Sequence, residues 1–352
     1  MDWWRKLRNN PLARLGAIIL ITFYILVIGA DFFAPYDPYS SQIDGSLMPP
    51  TAIHWQKGKP VIYPTSQGAT DLETGDRELI IDRDNPQPLG LFVQGAPYNF
   101  LGIQGDRHLF GVVGEEARFN LLGTDEQGRD HFSRLIHGGR ISLFIGLVGI
   151  SISFPLGMLV GGISGYFGGW VDSVLMRFVE VLMTIPGIYL LVSLAAVLPA
   201  NITSAQRFLL IVVITSFISW SGLARVIRGQ VLSIKNQEFV QAAQATGGQS
   251  LYIITRHILP QTSTYAVISA TLAIPGFIVA ESVLSLIGLG IQQPDPSWGN
   301  LLSLGTNASI LVLQPWLVWS PAILIITTVL AFNLLGDGLR DALDPKNLGR
   351  SR

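Results

Sequence analysis

The chain predicts an all-α polytopic membrane protein with a small, strand-containing segment outside the membrane. Three observations carry this. Mean hydropathy is +0.43. Only 13% of the 352 residues are charged, about half the roughly 25% usual in soluble domains. The apolar residues gather into six stretches, each close to or above the roughly 20 residues that cross a bilayer. These are residues 15–33, 141–165, 172–198, 208–224, 265–290 and 317–335.

The first stretch follows Arg5, Lys6, Arg8 and Arg14. It is longer than the apolar core of a signal peptide, about 7–15 residues, and no small-x-small cleavage site follows it, so it reads as a retained anchor. Residues 34–138, about 105 in number, are too many for a simple connection. They hold short apolar runs, Pro60-Val61-Ile62-Tyr63, Leu79-Ile80-Ile81 and Leu91-Phe92-Val93, bounded by turn residues. Such runs predict β-strands and hence a small external subdomain.

Basic residues fix the orientation. Arg5, Lys6, Arg8 and Arg14 precede the first span, Arg225, Arg228, Lys235 and Arg256 separate the fourth from the fifth, and Arg340, Lys346, Arg350 and Arg352 follow the sixth. The opposite loops hold Arg207 in one and no basic residue at 291–315 in another. Positive charge marks the cytoplasmic side, so both termini and the 225–264 loop are expected there. The organisation that results is a cytoplasmic N-terminus at 1–14, a first transmembrane helix at 15–33 and an external subdomain at 34–138. A five-helix membrane domain at 139–338 and a cytoplasmic tail at 339–352 complete it.

Several function classes are excluded or disfavoured. Cysteine is absent, which removes disulfides, thiolate metal sites and cysteine nucleophiles. A net charge of -1 gives no basic footprint for nucleic acid. His54, His108, His131, His137 and His257 are scattered, with no H-E-x-x-H, so no metal site is indicated. Gly-x-Ser-x-Gly is absent. No G-x-x-x-x-G-K-[ST] occurs, so the chain has no cradle of that kind for ATP phosphates. The pairs Gly161-Gly162 and Gly168-Gly169 read instead as close helix packing or a tight turn.

The 225–264 loop is the most informative segment. Residues 231–246 read as a helix that Gly247-Gly248 breaks, since glycine suits a helix C-terminus. A second helix from about residue 250 should end before Pro260. Ala242 and Ala243 permit close backbone approach, and Phe239 and Tyr252 are sized to fill pockets. The residues alone leave two readings open, a plain hairpin linking two spans or a helix that seats in a partner's groove.

The segment resembles the cytoplasmic signature of ABC-importer permeases, Glu-Ala-Ala, three residues, Gly, then Leu-Pro. Here it stands as Gln241-Ala242-Ala243, Gly247 and Leu259-Pro260, with Gln241 in place of the usual acid. Ala34-Pro35-Tyr36-Asp37-Pro38, Gly123-Thr124-Asp125-Glu126-Gln127-Gly128-Arg129-Asp130 with Ser133-Arg134-Leu135-Ile136, Gly165-Tyr166-Phe167-Gly168-Gly169-Trp170-Val171-Asp172 and Pro296-Ser297-Trp298-Gly299 are similar to segments of dipeptide, oligopeptide and nickel permeases. So is the tail from Asn333 to Pro345. The resemblance implies the second of two permease subunits, with an ABC importer type-1 fold, that carries di- or oligopeptides. It also implies a homologous second permease, two ATPase subunits that use ATP and Mg, and an external solute-binding protein as partners. No cofactor is expected on this chain. The ATPase-docking coupling helix would comprise Glu238, Phe239, Gln241, Ala242, Ala243 and Gly247, with Leu259 and Pro260 downstream.

Ionisable groups inside spans are costly and tend to face a bundle interior or a wet cavity. Arg177 and Glu180, spaced i, i+3, are placed to pair on one helix face. Glu281 lies deeper, and lining the pathway or bonding a neighbouring helix fit it equally. Pro186 and Pro275 should kink or open their spans. The acidic Thr124-Asp125-Glu126 run beside Arg129 reads as a salt-bridged turn leading into a span. Two other functions are compatible with six spans: a proton-coupled secondary transporter using Glu281, and a membrane-anchored scaffold or sensor.

Overall fold

The computed structural model describes residues 2–70, 77–100, 102–114, 117–199 and 201–343. The Asp344-Pro345 end of the tail motif, Lys346, Arg350 and Arg352 lie outside them. The helices are α1 (Asp2–Asn9), α2 (Pro11–Ile28), α3 (Ala30–Phe33), α4 (His131–Phe167), α5 (Gly169–Thr184), α6 (Gly187–Ala196), α7 (Ser204–Ile234), α8 (Glu238–Ala245), α9 (Ser250–Ile253), α10 (Ser263–Leu286), α11 (Trp298–Leu302), α12 (Ala308–Leu313) and α13 (Pro315–Leu343). Strands β1 (His54–Gln56), β2 (Lys59–Ile62), β3 (Thr65–Thr70), β4 (Arg77–Ile81), β5 (Gln87–Phe100) and β6 (Ile103–Val112) lie between α3 and α4. Among the described residues, five helical stretches are long and apolar enough to cross a membrane, and α5 with α6 makes a sixth if that pair, bent by 84°, is one span.

The chain divides into two units. The first comprises Met1–Ile21, Leu143–Leu284 and Ile326–Arg352. Its core is the contact of α4 with α7, built on glycines four residues apart. A Cβ at Gly157 would lie 2.9 Å from the Trp220 carbonyl oxygen and one at Gly165 2.8 Å from that of Arg228, while one at Gly161 would strike the Ala224 carbonyl. Glycine at this spacing lets two helix backbones touch, which in lipid replaces the absent hydrophobic drive with van der Waals packing. The Gly168-Gly169 pair turns the chain from α4 into α5, both residues having φ near +60° (65° and 55°), where a side chain would be strained. At this end Asp172 accepts two hydrogen bonds from Arg228, each 2.5 Å, and one from Ser164 at 2.5 Å. Lys235 Nζ donates to the Gly165 carbonyl at 2.9 Å, satisfying a terminal acceptor of α4.

The second unit comprises Thr22–Ser142 and Ser285–Ile325. Strands β1-β2-β5-β6 form an antiparallel sheet, and β3-β4 a separate hairpin. The predicted runs fall in β2, β4 and β5. Ile62, Val112 and Phe119 form a small buried core beneath the larger sheet. The segment ahead of α4 is the salt-bridged turn expected. Asp125 accepts from the Arg129 amide at 3.0 Å and its Nε at 2.8 Å, and Arg134 Nε lies 3.2 Å from the same carboxylate. Arg134 is fully buried, donating to the Pro38 and Pro294 carbonyls at 3.0 Å each. Asp130 then caps α4, accepting from the Ser133 amide at 2.7 Å. Burial pushes the Asp130 carboxyl up to about 6. Trp298 is buried against the start of α4, where its indole donates to the Leu135 carbonyl at 2.9 Å.

Three expectations are corrected. The second helix begins at His131, ten residues before the predicted span at 141, because its polar first turns are shielded by protein rather than lipid. Residues 231–246 are not one helix: α7 continues to Ile234, and the break falls at 235–237 ahead of α8. The helix from residue 250 does not stop before Pro260. A π-wound turn at Ile254–Ile258 and a 3-10 turn at Leu259–Thr262 carry it into α10, easing the conflict of a proline ring with the carbonyl four residues back. Pro186 sits at the α5–α6 bend as expected, and Pro275 lies inside α10.

A Gly161→Ala substitution should lower the melting temperature of the protein in detergent, since overpacking of this kind costs about 1–3 kcal/mol. Gly229→Ala on α7, where a Cβ meets nothing within 4 Å, should leave it unchanged or raise it.

Candidate functional site

The α7–α8–α9 region builds the site. Arg228 and Lys235 hold the end of α7 against the α4–α5 turn, as described. The chain then breaks at 235–237, and α8 starts at Glu238, whose charge in the first turn suits the positive end of the helix dipole. Its far end is a Schellman turn. The Gly247 amide donates to the Gln244 carbonyl at 3.0 Å and the Gly248 amide to that of Ala243 at 3.0 Å. Gly247 has φ +82° and open space around the Cβ position. Backbone conformation, not room, therefore demands glycine there.

One side chain seats α8. Val240 is fully buried in a cluster with Val231 and Ile227 of α7, Ile253 and Ile254, and Ile258 and Leu259. Ala243, one turn on, packs on the same cluster, and Gln244 donates to the Tyr166 hydroxyl at 3.1 Å. Burying a valine contributes about 2 kcal/mol, enough to fix a short helix whose own hydrogen bonds are marginal. Glu238, Phe239, Gln241 and Ala242 are exposed on the remaining face. Their arrangement offers a firmly based, exposed helical ridge carrying one acid, one aromatic and two small or neutral residues.

Gln241, which stands where an acid was expected, donates from its amide to the Asn236 carbonyl at 3.1 Å. A carboxylate has no hydrogen to give that carbonyl, so here the neutral residue ties the helix to its own lead-in. Leu259 is buried in the Val240 cluster, while Pro260 is exposed at the start of the 3-10 turn. Tyr252 is exposed and meets the His257 ring edge-on at 5.5 Å between centroids.

The intramembrane candidates are placed differently. Arg177 and Glu180 pair at 3.5 Å, but their side chains are 81% and 50% exposed on α5, a surface pair on this chain. Glu281 is fully buried in α10, near the buried Ile278 and Ser282. His131 Nε2 lies 2.8 Å from the Ser320 hydroxyl, and His137 Nε2 lies 3.2 Å from Asp31. Sequence reasoning missed Val240, Tyr166 and the Asp172–Arg228 pair. Val240 had a legible signal, being the inward apolar residue three positions before Ala243.

Comparisons with known proteins place the chain in a family. Residues 153–348 match the family described as binding-protein-dependent transport system inner membrane component. Residues 1–50 match the N-terminal TM domain of oligopeptide transport permease C. The dipeptide transport system permease protein DppC of Bacillus subtilis is 33% identical over 98% of this chain and 85% of its own length. The oligopeptide transport system permease protein OppC of Haemophilus influenzae is 42% identical over 73% of this chain and 81% of its own. That of Escherichia coli is 44% identical over 65% and 73% respectively. This chain belongs to the family of binding-protein-dependent transport system inner membrane components, beside the DppC and OppC permease proteins.

Proposed function

We propose that this chain is a permease subunit of an ABC importer for di- or oligopeptides, and that α8 is the helix through which separate ATPase subunits drive it. The observation that carries the reading is the mounting of α8: one face pegged by Val240, the other exposed. A homologous permease completes the pathway, two ATPases using ATP and Mg dock beneath, and an external binding protein delivers solute. Similarity to dipeptide and oligopeptide transport system permease proteins supports peptide as cargo.

The mechanism follows from stiffness. A partner that grips the exposed ridge moves α8 as a body, because the Schellman turn and Val240 leave it no independent hinge. The displacement passes to the end of α7 and, through the π-wound segment, to α10. Such a contact biases a two-state bundle when it differs in strength between the states. Glu281, buried in α10, lies on the helix so moved and is proposed either to line the pathway or to bond a neighbouring helix. Arg177 and Glu180 are proposed to face lipid headgroups or the second permease.

Six crossings are also proposed, with both termini and α8 in the cytoplasm. Lys235 holds the end of α7 at the α4–α5 turn. The 31 residues of α7 extend about 46 Å from there, more than the roughly 30 Å hydrocarbon core. On this reading α5 and α6, bent by 84°, together make one crossing. The basic residues at the Lys235 end then mark the inside.

Two outcomes are expected. Reconstituted with its partners, the protein should accumulate a labelled oligopeptide in vesicles on ATP addition, unchanged when the proton gradient is collapsed. Accumulation that follows the proton gradient instead would make it a secondary transporter. Gly247→Val should leave ATP hydrolysis running while abolishing uptake, because a left-handed φ costs an ordinary residue about 1–2 kcal/mol, comparable to the seating of Val240. Gly247→Asn, which tolerates that conformation, should retain much of the uptake.

A further inference from the structure

The β5–β6 hairpin ends in an amphipathic ribbon. Tyr98 pairs with Gly105 and Phe100 with Ile103, all four on one face, while Asn99 pairs with Gln104 on the other. Gly105 accommodates the Tyr98 ring, whose Cζ would lie 2.8 Å from a Cβ there. The Tyr98 hydroxyl donates to the Arg107 carbonyl at 2.9 Å, which turns the polar end of that side chain away from the apolar face. Farther from the tip the ribbon is polar, with Gln94 donating to Asp106 at 2.9 Å.

The apolar face meets the end of the first span. Gly29, Phe32, Tyr98, Phe100, Ile103 and Gly105 line a crevice of about 320 Å³. Ile103 is 71% exposed at its edge. Phe92 holds a left-handed φ of +55° and sets its ring 6.1 Å from that of Phe32, a strained arrangement that a bulky residue keeps only when its surroundings enforce it.

The position of this crevice is fixed by α2. From Leu15, just after Arg14, to Phe33 the apolar stretch that α2 begins is 19 residues long, about 29 Å if helical, close to the thickness of the hydrocarbon core. Gly29 and Phe32 therefore stand at the bilayer surface. Ile25 and Ile28 are exposed on α2 just before them, so the lipid-facing stripe of the helix runs on without a break into the crevice. Aromatic rings at this level match the interfacial belt of membrane proteins.

We propose that the hairpin tip and the last turn of the first span form a lipid site, in which the acyl chain of a phospholipid from the leaflet holding that end of the helix fills the crevice. The apolar ribbon face lies on the hydrocarbon, and Asn99 and Gln104 face water. The inference rests on the length and apolarity of the first span and not on the transport reading.

The native absence of cysteine makes a direct test available. Ile103→Cys, Ile25→Cys and Trp55→Cys variants of the full assembly, each carrying a nitroxide, are placed in phosphatidylglycerol–phosphatidylethanolamine nanodiscs. Collision with oxygen and with a water-soluble nickel chelate is then measured. Position 103 should behave as position 25 does, with oxygen access high and nickel access lost, and unlike Trp55, which is 75% exposed on β1. A phospholipid carrying a diazirine on its acyl chain should label the 87–112 hairpin, and Ile103→Gln should abolish that labelling while α2 stays labelled. Nickel access at 103 equal to that at 55 would overturn the proposal. So would shielding from both reagents, which would mean that a protein partner covers the crevice.

Discussion

The burial of Val240 joins an otherwise exposed helix to the membrane bundle. Around that side chain the chain spends a break at 235–237, a Schellman turn at Gly247 and a π-wound segment ahead of Pro260. Each sets the direction of α8 relative to a longer helix. Remove the peg and α8 becomes an eight-residue helix on two flexible links, too short to hold its own shape in water. With the peg in place, α8 is packed against α7 and against the segment leading into α10.

Rigidity at this end of the bundle is reinforced from behind. The glycines at 157, 161 and 165 bring α4 and α7 into backbone contact. Asp172, Arg228 and Ser164 then close the α4–α5–α7 corner with short hydrogen bonds. The bidentate fork of Arg228 adds direction as well as strength. Packed contacts of this kind have discrete alternatives rather than continuous ones, which is what a switching bundle needs. The motifs in the second unit serve a similar mechanical purpose. Asp125, Arg129 and Arg134 bind a turn, two proline carbonyls and the start of α4 into one buried joint.

The apolar helices, the strands and the short helix α8 were legible because each has a strong local signal. Hydropathy found the spans, turn-bounded apolar runs found β2, β4 and β5, and the Ala242-Ala243…Gly247 spacing found α8. The misplaced boundaries share one cause. Hydropathy reads lipid exposure, and it is blind where protein, not lipid, surrounds a helix, as it does the charged first turns of α4 around Arg134. The helix through Pro260 escaped because a π turn leaves no mark in composition. The role of Gln241 was hidden for another reason: its partner is a backbone carbonyl, which no side-chain pattern reveals. The Asp172–Arg228 pair left no local mark, since the partners lie 56 residues apart in sequence and only the packing of α5 on α7 brings them together.

The account turns on α8 being seated in a nucleotide-hydrolysing subunit on the inner side of the membrane. The most direct measurement places a photoactivatable crosslinker at Ala242, on the exposed ridge, in sealed vesicles containing the full assembly. The account predicts capture of an ATPase subunit, with the yield changing when ATP is added. No capture of such a subunit, or modification of this position by reagents confined to the outside of the cell, would contradict it.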